Sequence, residues 1–206
     1  MLLIVACYVP TTVGLRTDGI LAPAGRGEAA MMAGEMLNGL GSEAWPMGPG
    51  FGATGHYTLA DGVAVSGSLA RYDTLDAAEA EVRVRALDEA KGPVTIAVLA
   101  GGGAVVGEAG APIWGTHLGL VASHHVGGNL HTFVGGRANP VLTGSPATFR
   151  LFLDGGAGVS WRPPLGPGAT GLFLLEGDWV HGADAGVGDS DVNAYVILGM
   201  MGISWR

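Results

Sequence analysis

The chain has 206 residues, of which 38 are glycine, 14% are charged and one is cysteine. Its length suits a single domain, and its low charge with a positive mean hydropathy of +0.38 excludes intrinsic disorder. A net charge of −8, with Lys91 as the single lysine, argues against nucleic-acid binding and against attraction to anionic headgroups. No run reaches the ~18 apolar residues of a membrane-spanning helix.

Residues 1–26 are predicted to be an export segment followed by an irregular lead-in. Cys7 follows the aliphatic and small residues 3–6, which resemble a bacterial lipobox, so Cys7 is a candidate lipid anchor of a lipoprotein. The alternative is an ordinary signal peptide that is removed whole, and both imply export. A single cysteine excludes an internal disulfide framework.

Residues 27–206 are predicted to form one β-barrel domain of about ten strands. The predicted strands are 27–37, 51–60, 63–72, 77–87, 93–106, 114–124, 129–138, 148–162, 169–181 and 193–206. Because 27–37 and 77–87 have the weakest patterns, eight strands is the alternative, and 77–87 could also be a helix. The connections alternate between short and long, as do the periplasmic turns and extracellular loops of outer-membrane barrels, which puts both ends of the barrel on the periplasmic side.

The hairpin over residues 51–72 supports this register. Its loop Ala60-Asp61-Gly62 fits a type I turn followed by a left-handed glycine, which would pair Leu59 with Val63 and Tyr57 with Val65. The 114–138 hairpin also separates into two faces. The apolar face holds Trp114, Leu118, Leu120, Leu130 and Val134, and the other holds His117, Ser123, His131, Phe133 and Arg137.

Segments 148–162 and 193–206 alternate apolar and polar positions, with aromatic residues near their ends. Tyr195 and Trp205 are ten residues apart, which at a tilt of roughly 40° spans about 25 Å, the height of the apolar band of an outer-membrane barrel. The predicted membrane-interface aromatics are Phe149, Trp161, Trp179, Tyr195 and Trp205.

The ionisable residues of the strands fall on the opposite face and are predicted to point into the lumen. This charge cluster consists of Glu79, Glu81, Arg83, Arg85, Arg150, Asp154, Arg162, Glu176 and Asp178, with both signs in similar number. A barrel of eight to ten strands has room for side chains and little else. An ion-paired interior is therefore favoured over an ion-selective pore.

Other patterns point only weakly to chemistry, and the sequence predicts no catalytic residue, cofactor or metal. The histidines His117, His124, His125 and His131 share one hairpin, but no helical metal-binding motif is present. Glycines 101–103 lack the spacing of a dinucleotide loop. The acids Asp184, Asp189 and Asp191 lack the spacing of an EF-hand. His181 with Asp184 is the best available pair for a hydrolase site at the barrel rim.

At the level of patterning, the aromatic-ended strands 148–162 and 193–206 and the glycine-rich hairpins resemble the small bacterial outer-membrane β-barrels of the OmpA/OmpX-like, porin-type superfamily. The resemblance implies a closed, all-β, antiparallel up-and-down barrel in contact with outer-membrane lipids. It also implies structural, adhesive or narrow-pore roles carried by exposed loops, without enzymatic activity. The alternatives are a soluble lipocalin-like barrel that binds a small lipid, with its faces inverted, and an outer-membrane rim-site hydrolase.

Overall fold

Ten long antiparallel strands and one short strand form the protein in the computed structural model, which describes residues 15, 17–38, 49–72, 75–106, 112–143, 148–184 and 192–205. The strands are β1 (Gly27–Asn38), β2 (Gly50–Ala60), β3 (Val63–Tyr72), β4 (Leu75–Leu87), β5 (Thr95–Val106), β6 (Ile113–Gly127), β7 (Leu130–Thr143), β8 (Thr148–Trp161), β9 (Pro164–Gly166), β10 (Ala169–Asp184) and β11 (Val192–Trp205). A 3-10 helix, Glu89–Lys91, lies between β4 and β5. A search of the described residues finds no helix long and apolar enough to cross a membrane.

Pairing between the first and last strands closes the sheet into a barrel. Each long strand pairs with the next, and β11 pairs with β1 from Gly27↔Trp205 to Asn38↔Ala194. Closure pairs each of the ten long strands on both sides, so their backbone hydrogen bonds are satisfied between strands. The predicted all-β barrel is confirmed with ten long strands, and segments 27–37 and 77–87 are both strands.

Two local predictions are wrong. Ala60 rather than Leu59 pairs with Val63, because the ladder contains a bulge after Thr58. The predicted Tyr57–Val65 pair is confirmed, and Gly62 has the left-handed φ of 76°.

The strand predicted to end at residue 138 continues to Thr143. It passes through Pro140, which pairs with Leu151 of β8 at a place where the β6–β7 ladder is interrupted. Proline is tolerated where no hydrogen bond to its nitrogen is needed.

The wall of the barrel is apolar outside and polar inside. Outward Leu151, Val159 and Ile203 are about 40% exposed (39%, 42% and 42%), whereas inward Asp154 and Glu176 are almost completely buried. The predicted faces of the 114–138 hairpin are confirmed: its five apolar residues are exposed, and its other face is buried or, at His131, half-buried.

A segment without regular structure lies inside the barrel, toward the end where β1 begins and β11 ends. This is the end that the sequence predicts to be periplasmic, and we use that name for it and the name extracellular for the opposite end. This lumenal segment consists of Leu15 and residues 17–21. Leu15, Asp18 and Leu21 are at most 5% exposed. Gly135 of β7 makes room for Leu15, because a Cβ on this glycine would lie 2.9 Å from the Leu15 Cδ1 atom. Nothing in the sequence pattern predicts that the lead-in enters the lumen.

Candidate functional site

A buried group of charged side chains occupies the middle of the lumen, and we call it the middle cluster. It consists of Glu79, Glu81 and Arg83 of β4, His117 of β6, Arg137 of β7 and Asp154 of β8. Strand register brings these residues together: Glu81 lies beside Gly101 of β5, which lies beside His117. A Cβ at Gly101 would come within 2.9 Å of the His117 Cε1 atom, so the glycine leaves the histidine room to reach across β5.

The Glu81 carboxylate is the centre of this cluster. Arg83 donates from Nε to Glu81 Oε1 at 2.6 Å, and His117 Nε2 lies 2.9 Å from the other oxygen, Oε2. His117 Nε2 is also 3.8 Å from Glu79 Oε1. Each oxygen of Glu81 therefore has its own partner.

Arg137 connects the cluster to the opposite side of the wall. It donates to Asp154 Oδ2 from Nε at 3.2 Å and from Nη2 at 2.9 Å. Its Nη1 lies 3.8 Å from Glu79 Oε1. Both the Arg137 and the Asp154 side chains are completely buried, so each depends on the other for charge compensation.

A second group of charges lies nearer the periplasmic end, and we call it the Asp18 centre. Arg162, which follows β8, donates to both oxygens of Asp18 at 2.8 and 2.9 Å and to Glu28 of β1 at 2.7 Å. Ser160 donates to Asp18 at 2.6 Å, and His56 Nε2 lies 3.5 Å from Glu28. This centre therefore ties the lumenal segment to the barrel wall.

Burial and charge act in opposite directions on Asp18. Burial alone would raise its pKa, but the charge of Arg162, with hydrogen bonds from Arg162, Ser160 and the Ile20 N–H, outweighs burial and lowers the pKa to about 2. For Arg162, burial opposes the charged form, but Asp18 and Glu28 raise its pKa. The ion pair is therefore charged at any ordinary pH.

Among the described interior residues the two signs of charge are unequal, whereas the sequence predicts similar numbers for a set that includes Arg150. The described interior holds three guanidinium groups, those of Arg83, Arg137 and Arg162. It holds seven carboxyl groups, those of Asp18, Glu28, Glu79, Glu81, Asp154, Glu176 and Asp178. Asp18 and Glu28 were missed because they lie in the lead-in and in the weakly patterned β1.

The remaining residues of the predicted charge cluster take different positions. Glu176 and Asp178 are buried on β10, where Glu176 accepts a hydrogen bond from the Leu15 N–H. Arg85 lies at the periplasmic rim, paired with Asp61 and Asp88. The side chain of Arg150 lies outside the described part of the chain, although its backbone belongs to β8.

The four histidines of the 114–138 hairpin do not converge. His117 is in the lumen, whereas His124 and His125 are exposed near the periplasmic turn, where both contact Glu89. The rings of His125 and His131 are 4.9 Å apart. The group that could hold a metal is instead Glu79, Glu81 and His117, whose ligand atoms all lie within 4.8 Å of one another.

Sequence reasoning did not combine these three residues. Glu81 and His117 are 36 positions apart, and their proximity becomes visible only when the registers of two successive hairpins are counted together. The predicted rim pair stays a prediction, because the side chain of Asp184 lies outside the described residues; His181 stacks on Trp179. Cys7, Asp189 and Asp191 also lie outside them.

The outer wall carries aromatic side chains at two levels. Those near the periplasmic end are Tyr57, Trp161, Phe173 and Trp205, and those near the other end are Phe51, Trp114, Trp179 and Tyr195. Trp161 and Phe173 stack at 5.3 Å. The side chain of Phe149 lies outside the described residues. An apolar band between two aromatic levels, around a closed polar interior, is the design of an outer-membrane barrel. The protein is a closed barrel of this design.

Comparison with solved structures finds proteins of low similarity. Similar solved structures include the outer-membrane protease OmpT from Escherichia coli, 10% identical over 92% of this chain and 99% of that chain with a TM-score of 0.43. They also include the translocator domain of the autotransporter NalP from Neisseria meningitidis, 13% identical over 90% and 89% of the two chains with a TM-score of 0.42. The outer-membrane protein OprG from Pseudomonas aeruginosa is 12% identical over 89% and 96% of the two chains with a TM-score of 0.31.

These values are too low for an inference about activity. No protein-family model matches the chain, and no curated protein matches it in sequence.

Proposed function

We propose that the protein is a non-enzymatic barrel of the outer membrane with a closed lumen, and that its extracellular connections carry a structural or adhesive role. The observation that supports closure is the packing of the lumenal segment against charged side chains. Two interior cavities, one beside Asp18 and Arg162 and one beside Glu79 and Glu81, have volumes of about 10 Å³ each. Such a cavity holds about one water molecule.

Packing continues above the middle cluster, toward the extracellular end. Inward-facing apolar side chains there belong to the same buried core as Leu15, and the largest of them is Phe152, which is 2% exposed. A passage for ions would have to cross both this layer and the lumenal segment. A narrow pore is therefore the less favoured role.

Planar-bilayer recording tests closure directly. The full chain, folded in detergent and verified by its shifted gel mobility before boiling, is expected to give a flat current trace at high protein load. Stepwise conductance events absent from a boiled sample would contradict the closed lumen. Hydrolysis of a phospholipid panel, compared between the wild type and His181→Ala, tests the non-enzymatic part. Turnover that depends on His181 would overturn it.

Substitutions on the outer wall test the membrane setting independently. Leu120 lies in the middle of β6 and is 55% exposed, whereas Trp114 lies at one end of the same strand. An arginine at the bilayer midplane costs ~2–4 kcal/mol, and one near the interface ~0–1. Unfolding in lipid vesicles should therefore show a much larger loss for Leu120→Arg than for Trp114→Arg. Equal losses would argue for a barrel surrounded by water.

A further inference from the structure

We propose that the middle cluster is a binding site for a divalent transition metal of the zinc class, with Glu79, Glu81 and His117 as ligands. Their ligand atoms lie within 4.8 Å of one another, with His117 Nε2 at 2.9 Å from Glu81 Oε2 and 3.8 Å from Glu79 Oε1. Tetrahedral zinc with bonds of ~2.0–2.1 Å separates its ligand atoms by about 3.3 Å. The two separations bracket this value and the third is at most 4.8 Å, so the site forms when the side chains draw together around an ion.

The charge of the surrounding interior favours a cation. Within the middle cluster, the carboxylates of Glu79, Glu81 and Asp154 face two guanidinium groups, and the buried carboxyls of Glu176 and Asp178 lie on neighbouring β10. An excess of buried negative over positive charge is costly. A cation or bound protons must therefore relieve the excess, and a metal between Glu81 and His117 would supply positive charge where the ligand atoms converge.

Arginine side chains lie close to the two carboxylates of the proposed site. Arg83 holds Oε1 of Glu81 at 2.6 Å and leaves Oε2 directed at His117. Arg137 Nη1 lies 3.8 Å from Glu79 Oε1 and places positive charge beside the second carboxylate. Outer partners that fix a ligand in this way are typical of metal sites.

A small cavity adjoins the two glutamates of the site. Its volume is about 10 Å³, and its lining includes Thr54, Ser66, Ser68 and Arg83 together with both glutamates, but not His117. That is room for about one water molecule. Two carboxylates, an imidazole and a water form a ligand set that suits Zn²⁺ and its spectroscopic substitute Co²⁺.

Refolding with Co²⁺ tests the site in the full chain. The protein is unfolded with a chelator, refolded into detergent with Co²⁺, passed through a desalting column and analysed for metal content and visible absorption. We expect about one cobalt ion per chain with the intense absorption bands of a four-coordinate site. His117→Ala and, separately, Glu79→Gln should each remove the bound metal and its absorption, while the gel mobility of the folded form persists.

His124, near the periplasmic turn of the same strand, provides the matched control. His124→Ala removes an exposed imidazole of the same strand, with its own glutamate contact, and should leave the bound cobalt unchanged. Should His117→Ala fail to fold, Glu79→Gln carries the test, because it keeps the shape of the side chain. Less than about one cobalt ion per wild-type chain would overturn the proposal. Cobalt retained by Glu79→Gln, or lost by His124→Ala, would also overturn it. Protons would then be what balances the cluster.

Discussion

The two charged centres of the lumen are built in different ways. All members of the middle cluster are side chains of long strands, so the hydrogen-bonded ladders of β4, β6, β7 and β8 fix their positions. The Asp18 centre instead joins an irregular segment to the wall, and its arginine follows β8 rather than lying within it. The first centre is part of the barrel, whereas the second fastens a separate piece of chain inside it.

Because of this difference, the two centres should affect different properties of the protein, namely the stability of the barrel and the closure of its lumen. Loss of a charge in the middle cluster leaves its partners enclosed by strands that cannot move apart without opening the barrel. In the Asp18 centre, the segment can leave the lumen while the ladders stay intact. Disruption of the first centre should therefore weaken the whole barrel, and disruption of the second should release the segment.

The largest effect is expected for Arg137→Ala. Removal of one partner from a buried ion pair typically costs ~3–5 kcal/mol, because the remaining charge stays uncompensated. Here Asp154 would lose its hydrogen bonds from Nε and Nη2, and Glu79 would lose the guanidinium at 3.8 Å. Urea unfolding in detergent micelles measures the loss. The double variant Arg137→Met with Asp154→Leu should recover most of it, and a double variant as unstable as Arg137→Ala would contradict this explanation.

The next largest effect is expected for Arg162→Ala, which removes the hydrogen bonds to Asp18 and Glu28. Hydrogen bonds to charged groups contribute ~1.5–3 kcal/mol each, and Arg162 is 14% exposed, so we expect a loss of about 2–3 kcal/mol for the whole centre. Protease cleavage within residues 15–26 should accelerate, while the strands remain protected. Arg162→Lys retains one charge and should be cleaved at an intermediate rate. A cleavage rate unchanged in Arg162→Ala would show that the segment is held by other contacts.

A smaller, pH-dependent effect is expected from Asp18. Its folded-state pKa is lowered from 3.8 to about 2, so its ionised form stabilises the fold fully above pH 3.8, and this contribution disappears as the pH falls through about 2. The shift corresponds to up to about 2 kcal/mol. The stability difference between the wild type and Asp18→Asn should therefore be constant from pH 7 to 5 and shrink between pH 4 and 2. A difference that does not change with pH would argue against an ionised Asp18.

Most strands of the barrel could be predicted because apolar and polar residues alternate along a strand whose two faces lie in different surroundings. In β8 every second residue is apolar, and no other regular structure separates its charges from its apolar side chains. Tight turns such as Asp61-Gly62 then fix the register to within one residue. The error at Leu59 arose because a bulge adds a residue without changing the faces of the strands that follow.

The candidate metal site and the lumenal segment could not be predicted in the same way. Glu81 and His117 meet across an intervening strand, so their contact depends on two registers and on the absence of a side chain at Gly101. Leu15 and Asp18 lie in a stretch with no period, and what buries them is the space left inside the closed barrel. Both features depend on closure of the sheet into a barrel, and no pattern within a single segment of the sequence predicts that closure.

The smallest effect is expected for Arg85→Ala at the periplasmic rim, where the paired charges are exposed rather than buried. Arg85 pairs with Asp61 and Asp88, but the Asp61 side chain is 88% exposed and that of Asp88 35%. Exposed pairs of this kind contribute ~0.2–1 kcal/mol, because water screens the charges and side-chain entropy is lost. Arg85→Ala should therefore change the free energy of unfolding by less than any substitution above, and added salt should reduce the difference. Arg85 and Arg137 both lie on inward-facing positions of the wall. A loss at Arg85 as large as that at Arg137 would mean that depth in the lumen does not determine how strongly the barrel depends on its ion pairs.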